Sequence, residues 1–505
     1  MDWAQGYVSD IQYTPGFYKE LSPSFLTMAG IMRGLRTPEP FEALNVCELG
    51  CGQGLTTNLL AASSPRSRFW GMDFHPGQIA NAQRLARRAA LLNVTFLDLS
   101  FEDACALPPD ALPGFDLITL HGIYSWVSAE HRAQIIRFIG QRLKPGGVVY
   151  VSYNCMPGWA DMAPVQRLMR EFAARRPGRS DVRGEEAVRL LDHLQSAKAR
   201  IFAIYPDLAR KLDRVRQISG TYRAHEYLNE NWQPLYSPDV AAQMAQARLA
   251  FAASASLYDN IDAASLPEAQ RPVADAFADP VWVEYVKDMV GNKRFRRDLF
   301  IRGPNPATPA ERRELLAPYR FALVVPPSQV NTRFENDLAI MHGEEATYRP
   351  LIEALARGPQ RFADLSAPGG DPELVEALAL LMASDQVVQL GPVDEEALAQ
   401  ARRFNEALVH YGRLGEYLEF LAVPGAGAGL RTNMVETLVR SALLDGCPGL
   451  PEITHHVCAT LLEQGRAAPP GAPAPAEAEL AAEVEPLARA VLEQRLPLWR
   501  QLGIQ

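Results

Sequence analysis

The chain has 505 residues, too long for one ordinary hydrophobic core, and at roughly one domain per 150 residues it is expected to hold about two to four. Apolar residues make up 48% and charged residues 22%, and no apolar run approaches the ~18 residues of a membrane span, so membrane insertion is not expected. The net charge of −9, Lys+Arg 50 against Asp+Glu 59, argues against a nucleic-acid partner gripped by its phosphates, which needs a basic surface.

The start Met1-Asp2-Trp3-Ala4-Gln5 has neither the basic residues nor the apolar stretch of a secretory signal, which predicts a cytoplasmic protein. From about residue 41 to residue 153, short apolar runs alternate with helical patterns, the mark of a parallel sheet covered on both faces. Residues 44–49, 68–73, 94–97, 115–120 and 148–153 are its five predicted strands. Pro76 opens a helix at its favoured first position, and a helix over 129–143 stops at Lys144-Pro145-Gly146-Gly147. Beyond Ala163 the strand pattern fades. Apolar residues at helical spacing over 185–213 and 239–252 predict a mostly helical middle region. Lys293-Arg294-Phe295-Arg296-Arg297 reads there as a solvated helix face rather than a phosphate-binding patch. Near Glu345 a helix, a second helix over 372–383 and a strand over 386–390 suggest a small winged-helix-like unit. Residues 425–429 and 467–475 are predicted to be flexible connectors. The expected division is thus 1–165, 166–340 and 341–505.

Six cysteines, at 47, 51, 105, 155, 447 and 458, form no C-x-x-C pair, and reduced thiols are expected. His342 and the His455-His456 pair have no partners at ligand spacing, so no metal is expected.

The sharpest local feature is Glu48-Leu49-Gly50-Cys51-Gly52-Gln53-Gly54, between the first strand and a helix. Glycines at 50, 52 and 54 remove side chains where a backbone must turn tightly and approach a ligand. The spacing is G-x-G-x-G, not the dinucleotide G-x-G-x-x-G, and the Lys-Ser/Thr of a phosphate loop is missing. Asp73 ends the second strand, beside that loop if the sheet is doubly wound, where it would accept both hydroxyls of a ribose. A turn or cap before Pro76 is its other reading. Ser100-Phe101 follows the third strand, where an adenine would lie, with Phe101 either stacking on it or packing in the core. Loops after the fourth and fifth strands, His121-Gly122-Ile123-Tyr124-Ser125-Trp126 and Tyr153-Asn154-Cys155-Met156-Pro157-Gly158-Trp159, concentrate aromatic and polar groups at the same edge, as a site would.

The glycine segment resembles motif I of class I S-adenosylmethionine-dependent methyltransferases. The His121–Trp126 and Tyr153–Trp159 loops resemble signatures of a narrower group that carries a methyltransferase regulatory domain and includes bacterial protein-lysine methyltransferases acting on outer-membrane proteins. Tyr222 to Asn229 and Asn292 to Asp298 resemble stretches of that regulatory domain, and the C-terminal third resembles, less distinctly, the group's winged-helix domain. The resemblance implies a Rossmann-like methyltransferase sheet, a helical regulatory domain and a winged-helix-like C-terminal domain. It implies S-adenosylmethionine as cofactor, bound by Glu48, Gly50, Cys51, Gly52, Gly54, Asp73, Phe74, Ser100, Phe101 and His121. The family commonly has an Asp where Ser100 stands. Tyr13-x-Pro15-x-x-Tyr18 would close over the methyl group.

A methyl on a sulfonium needs mainly an aligned nucleophile and exclusion of water, and positioning can supply ~7–11 kcal/mol of barrier reduction. Tyr153, Asn154, His121 and Tyr18 are the expected catalytic residues, with His121 as proton carrier and Glu48 organising the glycine loop. Tyr13, Tyr18, Tyr124, Trp126 and Trp159 are the expected acceptor wall, able to depress an amine's pKa by burial and to hold a cation over their rings. The expected acceptor is a protein lysine. The alternatives are a small molecule methylated on N or O, or a non-catalytic S-adenosylmethionine-binding scaffold. A second copy of the chain, in a homodimer, is the other partner considered.

Overall fold

The computed structural model describes residues 6–336, 338–468 and 475–505. The stretch 1–5, read above for a signal, and most of the expected connector at 467–475 lie outside the described residues.

Seven strands form one sheet: β1 (Asn45–Leu49), β2 (Arg68–Asp73), β3 (Val94–Asp98), β4 (Phe115–Leu120), β5 (Leu143–Asn154), β6 (Ala250–Ser254) and β7 (Phe295–Ile301). Their order is β3-β2-β1-β4-β5-β7-β6. The first five are parallel, as predicted, while β7 runs antiparallel to both β5 and β6. Strand order reverses between β1 and β4, so the crevice at their carboxyl ends is where this class of sheet binds ligands. After α1 (Pro23–Met32) come the crossover helices α2 (Leu55–Ser63), α3 (Pro76–Arg88), α4 (Phe101–Ala106) and α5 (Ala129–Arg142).

Period-2 alternation divides the strand side chains between two cores. On β5, Val148 and Tyr150 face the core shared with α1, α2 and the C-terminal region; Val149, Val151 and Tyr153 face the core shared with α5. A third apolar cluster, including Trp159, Met169, Leu191, Leu212 and Tyr227, holds the middle helices together. These are α6 (Ala163–Ala173), α7 (Ser180–Ser196), α8 (Ile201–Ile204), α9 (Leu208–Gln217) and α10 (Gly220–Tyr227), whereas α11 (Ser237–Ala245) packs its Val240 and Met244 into the core shared with α5.

Three expectations are corrected. The predicted helix over 239–252 ends at Ala245; Arg248, in the left-handed region at φ 62°, turns the chain out of it and into β6. The predicted solvated helix face at 293–297 is instead the entry to β7. Arg296 is buried and donates to Glu284, Asp288 and Asp298, at 2.8, 2.6 and 2.9 Å. Charges that suggested solvent are paired inside the fold, and removing one partner of such a buried set costs ~3–5 kcal/mol. Thirdly, residues 425–429 are no flexible connector. They form a tight turn between strands Phe420–Val423 and Ala428–Arg431, with Gly425 and Gly427 at φ 70° and 55°. The turn is docked by hydrogen bonds from Gly425 N to Ser63 O and from Ser24 Oγ to Ala426 O, 2.9 and 2.8 Å.

The predicted C-terminal helices and strand are present as Glu345–Leu355, Asp371–Ala383 and Val387–Leu390. That strand pairs with Arg320–Leu323, which pairs in turn with Gln360–Arg361. The central strand of this small sheet therefore lies upstream of residue 341.

Candidate active site

The β1–α2 turn is built by conformations only glycine adopts cheaply. Gly50, Gly52 and Gly54 have φ of 72°, 54° and 68°. A Cβ on Gly50 would lie 2.2 Å from Ile123 Cδ1, and one on Gly54 2.5 Å from the Ala82 Cβ. Asp73, at the end of β2, accepts from Gly52 N and from His75 N, both at 2.9 Å. The helix cap at Pro76 is His75, whose Nδ1 accepts from Gly77 N. Asp73 itself is thus left beside the bare loop, where burial raises its pKa.

The loop and Asp73 line a cavity of about 650 Å³ at the carboxyl edge of the sheet, within the size range of small-ligand sites. Cys51, Phe74, Ser100 and Phe101 line the same part. Ser100 caps α4: its Oγ accepts from Asp103 N and donates to Asp103 Oδ2 at 2.6 Å. Glu48 is buried below the loop and accepts from the Thr57 hydroxyl; burial pushes its pKa up to about 8, so it is mostly neutral at pH 7.

The N-terminal segment crosses the cavity mouth. Gln53 Nε2 donates to Tyr13 O at 2.8 Å and Thr56 Oγ1 to Gly16 O at 3.1 Å, which fixes Tyr13 and Tyr18 against the glycine loop. Tyr18 stacks on His121, ring centroids 3.7 Å apart. Tyr150 OH lies 2.8 Å from His121 Nδ1, and burial, helped by the Arg297 charge, pushes the His121 pKa down to about 3. The imidazole is therefore neutral across physiological pH and a weak base, which removes the support for its expected role as proton carrier.

Trp126, Asn154 and Trp159 also line the cavity. The buried Trp126 Nε1 has no hydrogen-bond partner among the described residues. Trp159 Nε1 donates to Arg294 O at 2.8 Å, and the Arg294 guanidinium lies 4.3 Å from its ring centroid. Two expected residues are elsewhere. Tyr153 precedes Asn154 on a strand, so its side chain takes the opposite face, fully buried with its hydroxyl donating to Asp298 Oδ2 at 2.6 Å. Tyr124 is fully buried and donates to Gln243 Oε1 at 2.6 Å. Neither reaches the cavity.

The cavity has further walls that sequence reasoning left without a role. Tyr222, His225, Glu226 and Tyr227 of α10 form one, and Arg294, Phe295 and Arg297 at the start of β7 another. Glu226 accepts from Asn154 Nδ2 at 3.3 Å. The available signal was an acid set among aromatic residues in the Tyr222–Asn229 stretch; its distance from the strand loops in sequence hid the connection.

The family described as "Methyltransferase domain" matches residues 47–149, and the one described as "Predicted methyltransferase regulatory domain" matches residues 219–302. An uncharacterized Synechocystis protein, sll1526, is 35% identical over 100% of both chains. The chain belongs to the class I S-adenosylmethionine-dependent methyltransferases that carry a methyltransferase regulatory domain.

This methyltransferase is similar in fold to PKMT2 from Rickettsia typhi, solved in complex with AdoHcy, at a TM-score of 0.67 and 19% identity, covering 95% of this chain and 98% of that one. A trans-aconitate 2-methyltransferase of Methylobacterium nodulans is 33% identical over 26% of this chain and 45% of its own length. The regulatory-domain match begins at Ser219, the cap of α10, so the methyltransferase lines its cavity with residues from both matched families. S-adenosylmethionine is its methyl donor. Among the described residues no helix is long and apolar enough to cross a membrane.

Proposed function

We propose that this methyltransferase transfers a methyl group to an amine, with the lysine side chain of a protein as acceptor. The observation that carries the reading is the composition of the cavity lining, which sets the rings of Tyr13, Tyr18, Tyr222 and Trp159 in one chamber with a carboxylate, Glu226, whose charge Tyr13 and Tyr222 face. An ammonium is stabilised over aromatic faces by ~0.5–2 kcal/mol each and by a nearby acid, and burial among rings lowers the pKa it must lose to become a nucleophile.

The inner half fits the donor. Asp73 would accept the ribose hydroxyls, the Gly50–Gly54 backbone would lie against the amino-acid portion, and Phe74, Ser100 and Phe101 would border the adenine. Trp126 Nε1 is a buried donor that a ligand could satisfy. Bound there, S-adenosylmethionine supplies an electrophilic methyl on sulfur. The protein's share is then alignment and dryness, with Tyr13 and Tyr18 closing the mouth and Asn154 facing the acceptor. In this reading residues 1–165 bind the donor, 166–340 roof the acceptor side and 341–505 pack, together with the strand Arg320–Leu323, into the core shared with α1 and α2. Six unpaired cysteines support a reducing compartment, the cytoplasm.

A second reading, O-methylation of a small carboxylic acid, draws on Arg294 and Arg297 in the cavity wall and on the resemblance to trans-aconitate methyltransferases. Incubation of a lysate with radioactive S-adenosylmethionine and the purified chain decides between them. Acid-precipitable, protease-sensitive label that survives mild base is expected. Base-labile label confined to small molecules would sink the lysine reading and support the ester.

A further inference from the structure

We propose that Glu226, supplied by the regulatory-domain helix α10 and held by Asn154 of the catalytic sheet, is the base that takes the proton from the acceptor amine. The proposal rests on the amine reading above and adds the proton's destination.

The carboxyl groups of the cavity separate by surroundings. Asp73 already accepts two backbone N–H bonds at the ribose position, and Glu48 lies buried under the glycine loop, engaged by Thr57. Glu226 differs from both. It lies in the last turn of α10, in the acceptor wall, where it accepts a hydrogen bond from Asn154 Nδ2. Asn154 is itself buried at the carboxyl end of β5 and lines the same cavity as His121. An amide can donate to a carboxylate without ever taking its proton, so Asn154 fixes the orientation of the acid and leaves its basicity in place.

The charged and titratable groups facing Glu226 come from three elements. Tyr13 faces it from the N-terminal segment, Tyr222 and Tyr227 from its own helix, and Arg294 from the entry to β7. The tyrosines are all neutral at pH 7, since burial raises each of them. Among the described residues the charge facing it is that of Arg294, which favours the carboxylate form. Desolvation outweighs it and pushes the Glu226 pKa up to about 7. A base whose pKa matches the working pH is present in the right form and still holds a proton well enough to draw it off.

A proton passes from the ammonium nitrogen to a Glu226 carboxylate oxygen, leaving a neutral amine and a neutral acid. The nitrogen lone pair then forms the N–C bond while the electron pair of the C–S bond stays on sulfur. The product leaves as a methylammonium, and Glu226 returns its proton to solvent through the cavity mouth.

The test uses the full chain loaded with S-adenosylhomocysteine, and n-butylamine as a probe for a lysine side chain. Difference infrared spectroscopy between wild type and Glu226→Gln follows the protonated carboxyl band from pH 5 to 9, and calorimetry follows uptake of both compounds. The expected result is a band that titrates near pH 7 and is missing from the variant. It should grow when butylamine binds the wild type, with S-adenosylhomocysteine affinity within twofold in both proteins. Butylamine uptake with an unmoved Glu226 band overturns the base and leaves the amine reading standing. Absence of uptake by either protein overturns the amine reading and the base with it. Glu226→Asp should restore a titrating band, which a purely structural role for the side chain would not require.

Discussion

The two halves of the cavity are assembled in opposite ways. The donor half is local and made of backbone: one strand–turn–helix segment, three glycines and a carboxylate at the end of the neighbouring strand. The acceptor half is made of side chains from Tyr13, Asn154, Trp159, Glu226 and Arg294, segments separated by up to 281 positions between the first and last of these numbers. A donor shared by many enzymes is met with parts that cannot vary, whereas the acceptor chamber can be recomposed one side chain at a time.

The largest effect is expected behind the chamber. Arg296→Met leaves Asp288 and Asp298 without their cation and Glu284 with Lys287 alone, and should lower unfolding stability by ~3–5 kcal/mol in a urea titration. A loss below about 1 kcal/mol would mean that the cluster does not anchor β7, and with it Arg294 and Arg297. Next comes the donor half: Asp73→Ala should weaken S-adenosylhomocysteine binding roughly 10- to 100-fold in calorimetry, since a hydrogen bond to a charged group is worth ~1.5–3 kcal/mol. An unchanged affinity would break the comparison at its better-defined end.

Tyr153→Phe should be milder and purely structural. It removes one donor to Asp298 and should cost ~1–2 kcal/mol of stability with donor affinity unchanged. Intact stability combined with lost turnover would return Tyr153 to the site. A further intervention concerns pH. The Glu48 pKa rises from 4.5 to about 8 on folding, so its neutral form contributes stability that is fully present below about pH 4.5 and lost as pH climbs through 8. In Glu48→Gln that slope disappears, and the melting temperature of the variant should gain on wild type steadily between pH 5 and 8. Parallel melting curves for the two proteins across that range would show Glu48 to be ionised in the fold.

The same contrast explains what the sequence disclosed. Five strands, the glycine loop and Asp73 were legible because strand period and positive-φ glycines act over a few residues. Tyr153 was misassigned by its proximity to Asn154 in sequence, although adjacent strand residues must face opposite ways. The Arg296 segment was misread because charge density ordinarily reports solvent, and the partners that neutralise it at Glu284 and Asp288 belong to a preceding helix. Glu226 stood in a stretch singled out by resemblance, yet nothing local says that a helix 72 positions beyond Asn154 comes to rest against it.

The route of the chain through the sheet has a mechanical corollary. The backbone leaves at the end of β5, builds the helices α6 to α11, and comes back into the same sheet as β6 and then β7, which pairs directly with β5. The roof is thus riveted at both feet, like a bucket handle whose two pivots share one rim. The two pivots are residues 155–162 and 246–249. A protease cut at either one would leave two fragments still held together by the β5–β7 ladder.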